Sequence, residues 1–180
     1  MVDFSKNFFE LFGLPVGFRL DKAELSERYR ELQRVVHPDR FASGSDQERR
    51  ISLQQAMLVN EAFETLKDPL KRAQYLLQLN DIHDEGRETT KDTAFLMEQM
   101  ELREALAEAR DQADPHAALD KLMRQVGDMI KTLVAQMTMQ FESASPEQLE
   151  AARESVRKMQ FLNKLHAEAQ ALEAELEETY

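Results

Sequence analysis

Three times along this chain an Asp or Ser stands immediately before a Pro at the head of an apolar-periodic stretch: Asp68-Pro69, Asp114-Pro115 and Ser145-Pro146. The short oxygen-bearing side chain accepts a hydrogen bond from a free N–H of a first helical turn. Proline has no N–H to lose there, and its fixed φ suits the first helical position. Each pair therefore starts a helix and forbids regular structure from running straight through. Two more starts have capping-box spacing, Asp21 with Glu24 and Ser45 with Glu48, and Gln148 completes the same spacing after Ser145.

Between these starts the apolar residues recur with a helical period. The pattern predicts helices over about 5–12, 21–36, 46–67, 69–79, 93–112, 115–141 and 146–177. Five Gly and five Pro in 180 residues, with 32% charged side chains, support an all-α fold. The stretch NDIHDEGRETTKD, 80–92, has no helical apolar period and collects Asn, Asp, Gly and Thr, so it reads as a linker. Residues 1–79 then form one unit. Residues 93–180, long helices with short loops, form an antiparallel three-helix bundle.

Charge and composition narrow the function. A formal net charge of −11 disfavours nucleic acid and anionic membranes as partners. No apolar run approaches the roughly 18 residues a spanning helix needs, and with no cysteine there is no disulfide framework, thiolate nucleophile or thiolate metal site. A reducing cytoplasm is expected. The four His, at 37, 83, 116 and 166, lack metal-ligand spacing, and neither a metal nor a cofactor is expected.

The stretch RVVHPDRFAS, 34–43, closes the second helix on His37, Pro38 and Asp39. Pro38 disfavours helical geometry at His37, so the helix stops near Val36 and the turn presents His37 and Asp39 outward. Leu25, Tyr29, Leu32 and Val36 face Ala56, Val59, Ala62, Phe63 and Leu66 across a helical hairpin with that turn at its tip. Between Arg28 and Arg40 four Arg outnumber Glu31 and Asp39, so the local charge is positive and suits an acidic partner. Arg30 and Arg34 lie opposite the inward stripe, where they meet a partner or form ordinary pairs with Glu27 and Glu31. A His37–Asp39 catalytic dyad would need a placed nucleophile or water and an enclosed cavity. The nearest hydroxyls are Ser43 and Ser45, and Ser45 is a cap. The chain is not expected to be an enzyme.

Residues 4–79 resemble a J-domain, the module that engages DnaK-type ATPases. FFELFGL corresponds to its first helix, ERYRELQRVVHPDR to its second with the HPD signature, and NEAFETLKDPLKRAQY to its third and its exit. The resemblance implies that His37, Pro38, Asp39, Arg28, Arg30, Arg34 and Arg40 meet the chaperone.

In DTAFLMEQMELREALAEARDQ, 92–112, the side chains of Phe95, Leu102, Leu106 and Ala109 form an inward stripe within about 40°, whereas Leu96, Met97 and Met100 fall about 100° to 160° away. Such a patch marks a contact surface, packs against the first unit, or belongs to a broader buried face. Glu101 and Glu104 border it, and Phe161 lies beside the seam of Leu162, Leu165, Ala169, Leu172 and Leu176. Together with RKMQFLNKL in the last helix, this segment is similar to the HscB family of co-chaperones. Members deliver an IscU-type iron-sulfur scaffold protein to a specialised HscA-type chaperone of the DnaK class.

The HscB resemblance implies that Leu96, Met97, Met100, Glu101, Glu104 and Phe161 bind the scaffold, with Met at 100 where Leu would be typical. It also implies that the Cys-rich metal motif of some members has no counterpart in this cysteine-free chain. The alternatives are a J-domain co-chaperone for another client and a structural helical interaction protein.

Overall fold

The computed structural model describes residues 5–37, 39, 44–83 and 90–178. Pro38 and Arg40 of the HPD signature, and 84–89 of the expected linker, lie outside the described residues. The order is α1 (Phe8–Leu11), α2 (Lys22–Val36), α3 (Asp46–Lys67), α4 (Pro69–Leu79), α5 (Thr93–Glu108), a 3-10 turn (Ala109–Asp111), α6 (Pro115–Ser143) and α7 (Pro146–Glu178). The fold is all-α, as the sequence predicts, and divides into two compact units, Met1–Asn80 and Asp81–Tyr180.

Most helix starts fall where the caps place them. Asp21, Asp68, Asp92 and Asp114 accept first-turn N–H bonds, and Ser45 with Glu48 closes a full capping box. The first helix is shorter than its predicted span, because Asn7 and Glu10 form a capping box that starts it at Phe8. It ends where Gly13 takes φ +66, with Leu14 N–H bonding Phe9 O and Gly13 N–H bonding Glu10 O. This is a Schellman closure, which a residue with a Cβ enters only at a cost.

In the first unit, α2 and α3 form an antiparallel hairpin. Near one end Ser52 Oγ donates to Val36 O at 2.9 Å; farther along, Tyr29 stacks on Phe63 with centroids 3.9 Å apart. The buried side chains include Phe9, Phe12, Phe18, Leu25, Val36, Val59, Leu66 and Leu77. Arg72 is buried as well, donating to Leu66 O at 2.6 Å beneath the Phe18 ring. This bonding lets a guanidinium occupy the α3–α4 corner.

In the second unit, a run of pairs fixes the direction of α5 against α7. Asp92 meets Lys158, Phe95 meets Phe161, Arg103 meets Glu168 and Arg110 meets Glu175. Residue numbers rise together on both partners, so α5 and α7 are parallel, while α6 runs back between them. The core of this bundle takes Phe95, Leu102, Leu119, Leu122, Val126, Leu133, Met137, Val156, Met159, Leu162 and Leu165. No helix among the described residues is long and apolar enough to cross a membrane.

Candidate interaction surfaces

α2 ends at Val36, and His37 caps it in an extended conformation, φ −58 and ψ 126. That is the backbone a residue before proline must adopt. His37 and Asp39 are both exposed. The Asp39 N–H donates to His37 Nδ1 at 3.3 Å, and the Asp39 carboxylate lies 3.6 Å from the same nitrogen. The imidazole is thereby oriented from one side. Ser52 holds the last α2 carbonyl, so His37 follows a fixed helix end.

The expected basic residues separate into two groups. Arg30, Arg34 and His37, with Gln33, line one open depression on α2. Arg30 Nε donates to Ser26 O at 3.2 Å along the helix. Arg28 points elsewhere, 3.8 Å from Glu24 and 3.7 Å from Glu31. The structure thus brings three of the described candidates together and leaves Arg28 in an exposed pairing of the kind worth about 0.3–0.5 kcal/mol.

On α5, Phe95 and Leu102 are buried while Leu96, Met97 and Met100 are 37%, 62% and 73% exposed. Glu101 and Glu104 are exposed beside them. Phe161 is half-buried and meets Phe95 edge to face, centroids 6.0 Å apart. Three apolar side chains on solvent, backed by a partly open ring, make an adaptable contact surface.

Three charged residues adjoin this patch that periodicity alone did not single out. Arg103 lies over the Phe161 ring at 5.4 Å and pairs with Glu168 at 2.8 Å. Lys158 lies over the Phe95 ring at 5.3 Å and pairs with Asp92 at 2.5 Å. Glu98 lines a depression with Phe95, Met97, Glu101 and Lys158. The spacing held a partial signal, since Arg103 falls one turn beyond Met100 and Lys158 one turn before Phe161.

The segment leading into α5 is fastened to α7. Thr90, itself buried, donates to Glu154 at 2.9 Å, and Glu154 pairs at 2.5 Å with Arg157, also buried. Burial pushes the Glu154 carboxyl up, but the bonds from Thr90 and Arg157 outweigh it and hold the group below its ordinary value. Asp92 is lowered too, chiefly by the hydrogen bond from Lys158 and then by the Phe95 N–H. No group of three or more His, Asp or Glu among the described residues is placed to hold a metal ion.

Both units match known domain families. Residues 7–75 match the family model described as DnaJ domain, and residues 91–170 that described as HSCB C-terminal oligomerisation domain. The chain is 46% identical over 169 residues to the co-chaperone protein HscB homolog of Shewanella amazonensis, covering 93% of this chain and 97% of that protein. The structure is similar to that of chaperone HscB from Vibrio cholerae, with TM-score 0.85 and 43% identity over 95% of this chain and 99% of the other. It is also similar to human co-chaperone protein HscB, with TM-score 0.86 and 33% identity over 95% of this chain and 84% of the other.

Proposed function

The chain belongs to the HscB family of J-domain co-chaperones, and we propose that it binds an IscU-type iron-sulfur scaffold protein, brings it to an HscA-type chaperone and stimulates that chaperone's ATPase. One observation carries the reading. The first unit carries an exposed His37 and Asp39 just past the end of α2, and the second an exposed Leu96, Met97 and Met100 patch. Two separate sites on one chain can bind two partners at once.

In this reading His37, Pro38, Asp39, Arg30, Arg34 and Arg40 meet the chaperone, and Arg28 adds charge rather than direct contact. Leu96, Met97, Met100 and Phe161 contact the scaffold, with Glu101 and Glu104 facing its basic groups. Burying three or four apolar side chains gains about 1.5 to 3 kcal/mol each at most. Association costs about 4 to 15 kcal/mol, so affinity near the micromolar scale follows. Transient holding suits delivery: the bundle retains the scaffold while the hairpin engages the ATPase, raising the scaffold's effective concentration there. Hydrolysis belongs to the partner, and the work takes place in the cytoplasm.

The test uses His37→Gln in a steady-state ATPase assay with chaperone and scaffold. Stimulation is expected to vanish while scaffold binding, followed by calorimetry, is retained. Undiminished stimulation would overturn the role of the turn. Replacing Leu96, Met97 and Phe161 by Ala is expected to weaken scaffold binding by tenfold or more, about 1.4 kcal/mol. An unchanged affinity would reject the patch and favour a different client.

A further inference from the structure

The hairpin carries a second exposed apolar strip that the HPD turn and the α2 arginines do not account for. On α3, Leu53 is 54% and Met57 64% exposed. With Asn60 they follow the i, i+4, i+7 spacing of one helical stripe. One turn later Glu64 closes that stripe, confining its apolar part to the half of α3 nearer the turn.

Hydrogen bonds show which side of the hairpin the stripe occupies. Asn60 Oδ1 accepts from the Tyr29 hydroxyl at 3.0 Å, and the Gln33 amide donates to that same hydroxyl. Gln33 in turn lines the depression shared by Arg30, Arg34 and His37. Tyr29 and Gln33 thus tie Asn60, on the α3 stripe, to the side of α2 that carries Arg30, Arg34 and His37. The Ser52–Val36 bond holds the α3 residue that precedes Leu53 against the last carbonyl of α2. Arg28, paired with Glu24 and Glu31, is not part of this basic group.

We infer that Leu53 and Met57 are the apolar half of the chaperone-docking edge, taking an apolar side chain of the DnaK-type partner while carboxylates of that partner meet Arg30 and Arg34. This rests on the reading that the His37 end of α2 engages the chaperone. Continuity selects this occupant, because the Asn60–Tyr29–Gln33 bonds join the α3 stripe to the side of α2 on which a protein seated on Arg30, Arg34 and His37 would lie. A mixed basic and apolar surface also explains how a chain of net charge −11 holds an acidic partner. Charge brings the two surfaces together, and apolar contact slows their separation.

The test is an ATPase titration of the HscA-type chaperone with Leu53→Asn/Met57→Gln, Met57→Gln alone, Met57→Leu and His37→Gln, each with a scaffold-binding measurement. The double variant is expected to raise the half-maximal concentration about tenfold, with the same plateau, unchanged helicity and unchanged scaffold affinity. Met57→Gln alone should give a smaller rise, and Met57→Leu should match the parent. If the double variant titrates like the parent while His37→Gln abolishes stimulation, the apolar strip is rejected and the turn stands. If His37→Gln stimulates like the parent while the double variant shows the raised half-maximal concentration, the strip stands and the role of the turn falls. If both titrate like the parent, both fall. Sedimentation supplies the remaining check: a self-associated parent that Leu53→Asn/Met57→Gln converts to monomer would assign the strip to a second copy of the chain and overturn the inference.

Discussion

The Phe95 and Phe161 rings meet edge to face at 86°, and each also has a cation over it, Lys158 for Phe95 and Arg103 for Phe161. Phe95 is buried and Phe161 only half-buried. One ring therefore serves both the α5–α7 seam and the exposed patch, which separates two kinds of substitution in the same region. Phe161→Ala is expected to destabilise the protein by about 1.5 to 3 kcal/mol, from lost apolar burial and the lost ring pair. Met97→Ala and Met100→Ala are expected to stay within about 0.5 kcal/mol, as surface changes do. Urea unfolding followed by circular dichroism distinguishes them, and equal losses at all three positions would mean that the methionines are part of the core.

The Asp92–Lys158 and Thr90–Glu154–Arg157 contacts make the stability of the second unit depend on acidity. Both carboxyls are held below their ordinary values of 3.8 and 4.5. A lowered folded-state pKa contributes stability that is fully present above the unfolded value and is lost as pH falls through the folded one. The urea midpoint should therefore carry this contribution undiminished at neutral pH, begin to lose it as pH falls through the ordinary values, and lose it fully only below the lowered ones. Asp92→Asn/Glu154→Gln should show a lower midpoint at pH 7 and a shallower decline under acid. A decline as steep as the parent's would assign acid sensitivity to other groups.

The helix starts were legible because a cap is local: Asp68-Pro69, Asp114-Pro115 and Ser45 with Glu48 state their geometry within four residues. The end of α5 was not. Its periodicity runs to 112, yet the last turn tightens into the 3-10 segment Ala109–Asp111, and that depends on how the chain must turn to begin α6. The outward face of α5 was readable from angles, since Leu96, Met97 and Met100 depart from the buried stripe. The separation of Arg28 from Arg30 and Arg34 follows from Arg28 turning to Glu24 and Glu31, a choice that spacing leaves open. The clasp of 90–92 on α7 joins residues more than sixty positions apart and carries no local signature.

Ala144, at the end of α6, takes the left-handed conformation, φ 46 and ψ 25, and its N–H bonds Gln140 O. An L-residue with a Cβ is disfavoured there by roughly 1 to 2 kcal/mol, whereas glycine is not. Part of that gain is offset because glycine is freer in the unfolded chain. Ala144→Gly is expected to stabilise the bundle by about 0.5 to 1 kcal/mol. Ala144→Val, stiffer at the same backbone geometry, should destabilise it. The order of the urea midpoints, Gly above Ala above Val, is the check, and the reverse order would contradict the left-handed turn.

Ser52 links the packing of the hairpin to the turn at its tip. Its buried hydroxyl donates to the Val36 carbonyl at 2.9 Å. That carbonyl belongs to the last residue of α2 and has no following helical turn to bond it. Removing the hydroxyl leaves a polar backbone group under apolar cover, a cost of about 1 to 3 kcal/mol. Ser52→Ala should lower the urea midpoint accordingly. Because Val36 directly precedes His37, the same change should speed amide hydrogen exchange at the end of α2 and raise the co-chaperone concentration needed for half-maximal ATPase stimulation, with the plateau preserved. Scaffold affinity, read on the other unit, should not change. Loss of stability without any change in the titration would mean that the turn keeps its geometry independently of the helix end beneath it.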